Sequence, residues 1–363
     1  MRKLHRKRRI NTVTLAASLV LSVSVAWSAD TKVPGEDVAE RVSPWLALPT
    51  LSSDPKLGTS LGAIGAYLHY FDEKSQVSMF GVSAMVTSTD STLGGVFAKM
   101  SFGEDHHRLS AFAGGGVLKN DYQDYLGSGQ PLKTTDDLRV LASRYLYRVY
   151  NKWFLGVQAA RVNYLVSGQS PLDDQILDAI GLTGIQSTGI GAVVMNDTRD
   201  NEYSPSRGWV LNLNNMAFRE SFGGTANFDA YRLELKGFWG HGRGHVFALR
   251  QNNDWTVNAP LSAYATVMLR GYKQGQYLGK YMSSLEGEER LRLSERWRAT
   301  VFAGLACLYG DNNDCSDSAN RYPSYGAGLQ YVLKQKEQMV ANLEYGAGKE
   351  GNYGVYLKLG YAY

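Results

Sequence analysis

The chain has 363 residues, of which 39 are glycine, 23 tyrosine and 9 proline; 20% are charged and 12% aromatic. That apolar and aromatic content excludes an intrinsically disordered chain, and a slightly negative mean hydropathy argues against a bundle of membrane helices. The length suits either two ordinary domains or one large β-barrel. The formal charge of +4 suggests a nucleic-acid partner only until its location is considered.

Arg2, Lys3, Arg6, Lys7, Arg8 and Arg9 form a basic head with no acid in it. An apolar stretch follows over 13–27, closed by small residues at Ser24-Val25-Ala26 or Ala26-Trp27-Ser28. A basic head, a short apolar run and a small-x-small site describe a secretory signal peptide over 1–28. Its removal lowers Lys plus Arg from 38 to 32 against 34 acids, so the exported chain is close to −2. No basic run is left to follow a nucleic-acid backbone, and no nucleic-acid partner is expected. Residues 29–42 are polar and read as a flexible periplasmic lead-in.

From there to the C-terminus the apolar residues recur with period two, the spacing of a strand with unlike faces. In the last segment Tyr353, Val355, Leu357, Leu359, Tyr361 and Tyr363 share one face, with Gly354, Tyr356, Lys358, Gly360 and Ala362 on the other. In Met339 to Ala347 the inward set includes Asn342 and Glu344; in Tyr231 to Gly237 it is Arg232, Glu234 and Lys236. The alternating segments are 43–51, 58–71, 75–88, 91–103, 106–118, 136–149, 151–165, 184–195, 207–218, 226–239, 244–257, 283–294, 297–309, 323–334, 338–348 and 352–363, sixteen in all. Most approach the ten or so residues that a tilted strand needs to cross a bilayer.

The connections sort into two sets. Those at 72–74, 104–105, 150, 240–243, 295–296 and 335–337 are short and fall at every second position, while the alternate set contains 119–135, 166–183, 258–282 and 310–322. Short periplasmic turns and long outer loops are the pattern of outer-membrane barrels. One short-side connection, 196–206, is an exception at eleven residues. Even strand parity suits closure of the first strand on the last, and Leu359, Tyr361 and Tyr363 make a terminal strand ending on an aromatic, similar to the recognition signal of bacterial outer-membrane proteins.

Cys307 and Cys315 are the only cysteines, and in an exported chain an even pair is expected to form a disulfide. Asp311, Asn312, Asn313, Asp314 and Asp317 share the loop between them and just beyond, but lack the glycine and terminal glutamate of an EF-hand, so a solvated loop is expected and no metal. No H-E-x-x-H or G-x-S-x-G occurs, and neither an enzyme nor a cofactor is expected.

Three stretches resemble the BamA/TamA family of outer-membrane proteins, specifically its bacterial surface antigen barrel domain. Asp197-Thr198-Arg199-Asp200 followed by Pro205 and Gly208 is similar to that family's D-x-R-D-x-x-x-x-P-x-x-G turn and falls on the long short-side connection. Leu269-Arg270-Gly271-Tyr272 is similar to its [V/I]-R-G-[F/Y] loop tip. Trp45-Leu46-Ala47-Leu48-Pro49, with Pro55, Gly58 and Gly62, is similar to its first hairpin. The resemblance implies that loop 258–282 folds into the lumen and that Arg270 docks on the inner wall. The family's thirteenth strand reads F-x-D-x-G, whereas this chain has Phe302-Ala303-Gly304 with no aspartate, which moves the expected carboxylate partner to Glu286 or Glu288. About a dozen residues separate the signal peptide from the first strand, so the resemblance is to a short form without POTRA domains.

The expectation is therefore an all-β, sixteen-stranded transmembrane antiparallel barrel over 43–363, in the outer membrane of a Gram-negative bacterium, with an inward-folded loop between strands eleven and twelve. By resemblance it assists insertion or transport of a protein or lipid client, among outer-membrane lipids and with a separate periplasmic partner possible. The alternative is a passive pore or structural surface barrel that keeps only the fold.

Overall fold

The computed structural model describes residues 43–54, 58–122, 132–180, 184–272, 277–310, 313–335 and 338–359. Signal peptide, lead-in, Tyr361 and Tyr363 lie outside these residues. In chain order the strands are β1 (Trp45–Asp54), β2 (Gly58–His69), β3 (Ser78–Thr87), β4 (Thr92–Phe102), β5 (His107–Tyr122), β6 (Leu132–Tyr150), β7 (Trp153–Gly168), β8 (Gly184–Asp197), β9 (Gly208–Phe218), β10 (Phe228–His241) and β11 (His245–Val257), then β12 (Ala265–Thr266) and β13 (Leu278–Gly279), and finally β14 (Tyr281–Arg292), β15 (Trp297–Tyr309), β16 (Arg321–Lys334), β17 (Met339–Gly348) and β18 (Tyr353–Leu359). All except β12 and β13 form one antiparallel barrel of sixteen strands in chain order, closed by β1 against β18. No helix is long and apolar enough to cross a membrane among the described residues.

The side-chain alternation sets inside and outside. On β6, Leu138, Val140, Ala142 and Leu146 are buried in the barrel, and Leu141, Tyr145 and Tyr147 between them are exposed. The exposed residues make a lipid-facing surface. At its short-turn end stands a girdle of aromatics: Trp45 against Tyr67 (centroids 5.1 Å apart), Trp239 against Phe247 (6.0 Å) and Trp297 against Tyr331 (4.8 Å). Aromatic rings are amphipathic enough to sit at a membrane–water boundary, and such girdles flank the apolar band of outer-membrane barrels.

Strand lengths are uneven. β5, β6 and β7 have 16, 19 and 16 residues, and β1 and β17 have 10 each. Ten residues at about 3.3 Å each, tilted roughly 40°, already cover an apolar band of about 25 Å, so β5 to β7 rise beyond it on the outer side. The sequence reading ends the fifth segment at 118 and opens the sixth at 136. The ladder instead continues to Tyr122↔Leu132, because inward Leu118 and Leu138 still find apolar neighbours at that height.

Connection 166–183 contains a helix, α1 (Pro171–Ile180). Ser170 Oγ accepts the Asp173 amide at 3.2 Å, and proline occupies the first helical position, where its missing N–H costs nothing. This Ser-Pro-x-Asp start was legible in the sequence. Met339, placed outward by strict alternation, is fully buried beside Leu46 and Met79; the ladder shifts register between Val332 and Lys334 opposite it. Cys307 and Cys315 form a disulfide at the outer end of β15, with Cα atoms 5.8 Å apart.

Candidate functional site in the barrel lumen

Two segments enter the lumen from opposite ends. From the outer side the connection between β11 and β14 folds inward, pinned at its base by the β12–β13 pair, Ala265↔Gly279 and Thr266↔Leu278. Val267, Leu269 and Tyr272 are buried against Met282, Ala306, Leu308 and Tyr322 of the wall. This apolar contact delivers Arg270 to the inner face of the barrel.

Arg270 meets three carboxylates there. Its guanidinium donates to Glu286 at 3.0 Å, Glu288 at 2.6 Å and Glu344 at 3.1 Å. It also lies flat over the Phe302 ring, 3.4 Å from the centroid. All four groups are deeply buried: Arg270 7%, Glu286 2%, Glu288 and Glu344 1% exposed. A planar guanidinium fork serves the three acceptors while its face packs on the Phe302 ring, a combination that a point-like ammonium cannot provide. Glu286 stands opposite Gly304 in register. Gly304 holds the position of the motif's aspartate, so the carboxylate arrives from the neighbouring strand.

The backbone of the tip is fixed as well. Gly271 N–H donates to the Tyr356 hydroxyl at 3.1 Å, Ser324 Oγ donates to the Arg270 carbonyl at 2.5 Å, and Tyr272 Oη donates to the Pro323 carbonyl at 2.5 Å. Gly271 has φ +91°, and a Cβ there would lie 2.8 Å from backbone atoms of Ala347. The opposing wall is stripped in the same way: a Cβ on Gly346 would lie 2.9 Å from Gly271 N, and one on Gly348 2.4 Å from the Tyr272 ring. Burial pushes the Tyr272 hydroxyl pKa upward. Burial, joined by a hydrogen bond to Glu350, pushes Tyr277 further still.

From the periplasmic side the connection 198–207 turns up into the barrel. Asp197 accepts from Arg199 at 2.8 and 3.0 Å and from Arg108 at 2.8 Å. Arg108 also holds Asp105 with two bonds of 2.8 Å. Glu202 pairs with Lys99 across the lumen; burial acts to raise its pKa, and Lys99, Arg199 and Arg108 outweigh it and hold the group low. Asp200 accepts the amides of Ser206 at 2.9 Å and Arg207 at 3.2 Å. Burial acts to raise that carboxyl too, and its hydrogen bonds, led by the Ser206 hydroxyl, outweigh it and keep it below the ordinary aspartate value. Gly208 has φ +96°, and a Cβ there would meet the Thr198 carbonyl at 2.4 Å. Pro205 is buried at the tip of the turn.

The two segments are joined by one strand. Glu288 on β14 accepts Arg270 on one oxygen and Arg290 Nε, at 2.9 Å, on the other. Arg290 then donates to the Pro205 carbonyl at 3.0 Å. An unbroken polar chain, Arg270–Glu288–Arg290–Pro205, thus runs from the outer loop to the periplasmic turn. The sequence motifs single out its two ends. Phe302 opens the thirteenth-strand motif, whereas Glu344 and the Gly346–Gly348 wall lack any motif, and only the inward parity of Glu344 marks it in the sequence.

The closing seam differs from the rest of the barrel. Among the described residues β1 and β18 are registered only at Ser52↔Tyr356 and Ser53↔Val355. On the other side of β18 the ladder runs continuously from Ala341↔Leu359 to Ala347↔Tyr353. Tyr356 therefore both closes the seam and holds the loop tip. No group of side chains that could hold a metal occurs among the described residues.

No protein-family model and no curated protein matches the chain. Solved structures do resemble it in fold. BamA from Haemophilus ducreyi lacking POTRA domains 1–3 aligns with a TM-score of 0.58 at 13% identity, covering 88% of this chain and 70% of that one. CdiB from Escherichia coli aligns at 0.58 and 11%, covering 94% and 68%, and CdiB from Acinetobacter baumannii at 0.57 and 10%, covering 87% and 59%. The chain thus spans about three fifths to seven tenths of these structures, and the likeness is one of fold: a sixteen-stranded barrel of the outer-membrane kind.

Proposed function

We propose that the chain belongs with the BamA/TamA barrels and assists insertion or translocation of a protein or lipid client at the outer membrane of a Gram-negative bacterium. The observation that carries this reading is the β1–β18 seam, registered at two residue pairs among the described residues while its neighbouring junctions run as full ladders. Such an edge exposes unpaired N–H and C=O groups when it parts, and these are a template for an incoming strand. Tyr356 ties that edge to the loop tip through the Gly271 amide, so docking of the tip and closure of the seam share a residue. The lumen filled from both ends supports this reading over a passive pore. The reading assigns no catalytic step.

The test is a covalent lock. Ser53→Cys with Val355→Cys places thiols on a registered pair of the seam. Oxidation in cells should remove the activity and reduction restore it, read as the outer-membrane proteome and lipid asymmetry against a depleted strain. An Arg270→Ala strain should lose the same clients. Full activity in the locked form overturns the seam mechanism. An unchanged envelope with lowered solute uptake and a large steady single-channel conductance favours the pore.

A further inference from the structure

Away from the Arg270 wall, the lumen between β3 and β11 holds a cavity of about 330 Å³, within the size range of small-molecule sites. Tyr203 of the periplasmic turn and Tyr264 of the outer loop line it, and Phe97, Phe112, Met216 and Phe228 face it from the wall. Inward positions of a water-filled barrel are polar; these are not. Apolar cavities of this kind gain little from water and accept apolar occupants.

Six polar groups of the cavity form two short registered rows, joined where Gln158 Nε2 donates to Asn214 Oδ1 at 3.1 Å. In the first Ser110 stands opposite Arg144 and Arg144 opposite Gln158; in the second Asn214 stands opposite Arg232 and Arg232 opposite Asp254. The next inward positions toward the outer side are Phe112, Ala142 and Ala160 above the first row and Met216 and Ala230 above the second. A polar belt therefore lies beneath an apolar sleeve. Within the belt Arg232 is held by Asp254 at 2.6 and 3.1 Å, and Lys99, opposite Ser110, by Glu202. Arg144 differs: its guanidinium donates to the neutral Gln158 Oε1 at 3.0 and 2.6 Å and forms no ion pair among the described residues. Glu234 on β10 is already shared by Lys236 at 3.0 Å and Arg250 at 3.3 Å. The cavity therefore carries one uncompensated cation, and a guanidinium fork matches a carboxylate or phosphate.

We propose that this cavity binds a single-chain anionic amphiphile, with its acid on Arg144 and its chain along the sleeve of Phe112, Ala160 and Met216. The site does not depend on the seam. Its test is native mass spectrometry of the full chain released from detergent, titrated with dodecanoate, dodecyl phosphate and dodecyltrimethylammonium. The native chain should retain one molecule of an anion and none of the ammonium. Arg144→Met should lower anion occupancy roughly ten- to a hundredfold, the worth of a charge-assisted hydrogen bond. Ala160→Phe, which fills the sleeve without changing charge, should lower it as well. Retention of dodecanoate alone points to a fatty acid, and of dodecyl phosphate alone to a phosphate-headed lipid. Equal retention of the ammonium, or anion binding indifferent to both variants, overturns the site. If Arg144→Met fails to fold, as read by heat-modifiable migration, the ammonium comparison and Ala160→Phe decide. The seam-locked chain should bind as well as the free one, so a failed seam mechanism leaves this result intact.

Discussion

Replacing Arg270 with methionine removes one cation from among three carboxylates while keeping much of the side-chain bulk. Glu286, Glu288 and Glu344 are then left with Arg290, which bonds Glu288 at 2.9 Å, with Lys358, an electrostatic neighbour of Glu344, and with Arg250, which stands opposite Glu286 in register and is shared with Glu234. Taking one partner out of a buried ion pair costs about 3–5 kcal/mol, because the remaining charge stays desolvated. The loop tip can escape that cost by undocking, so the penalty falls on the docking equilibrium, which should shift toward the open loop roughly 100- to 4,000-fold. Hydrogen exchange at the Gly271 and Tyr272 amides reads that equilibrium, since the first donates to Tyr356 and the second to Leu269. Protection at both should fall by that factor while the amides of β6 and β7 are unchanged. Adding Glu288→Gln removes the excess negative charge and should restore part of the protection. Protection within threefold of the native chain, or no recovery in the double variant, refutes the network as what holds the tip.

Three further outcomes are expected. Gly271→Ala and Gly346→Ala each place a methyl within 2.9 Å of backbone across the docking interface; each should loosen the tip by about 1–3 kcal/mol, read by the same exchange, with the barrel's heat-modifiable migration unaltered. Reduction of Cys307–Cys315, eight residues apart, should lower unfolding stability by about 2.5 kcal/mol, measured as a shift of the urea midpoint with and without reductant. Asp200 is held below its usual value, so its contribution is present above the unfolded aspartate pKa of roughly 3.9 and is lost as pH falls through the lower folded value. Exchange at the Ser206 and Arg207 amides should accelerate over that acid range in the native chain, and Asp200→Asn should flatten the dependence.

The barrel was legible because strand alternation is local: each residue's face follows from its neighbour two positions away. Turn-length parity then supplied which end of each hairpin faces the periplasm. Arg270 with Glu286 or Glu288 could be anticipated because the loop tip and β14 are close in sequence. Glu344 could not, since it reaches Arg270 only after closure brings β17 around the lumen. The same holds for the cavity. Arg144, Gln158 and Arg232 all read as ordinary inward polar residues, and they come together only once β7 and β9 flank β8 in the wall and Gln158 reaches Asn214, the neighbour of Arg232.

The chain Arg270–Glu288–Arg290–Pro205 has a consequence for how this sequence can drift. Glu288 serves both lumen segments, so a change at either arginine alters the electrostatics of the other. Around it, three acids (Glu286, Glu288, Glu344) are balanced against Arg270, Arg290, Lys358 and an Arg250 shared with Glu234. A single neutral replacement leaves an unbalanced ion in a dry interior, whereas a paired loss of one acid and one base does not. Related sequences should therefore change these positions in opposite-sign pairs, and the outer loop tip and the periplasmic turn, which enter the lumen from opposite ends, should be inherited as one character.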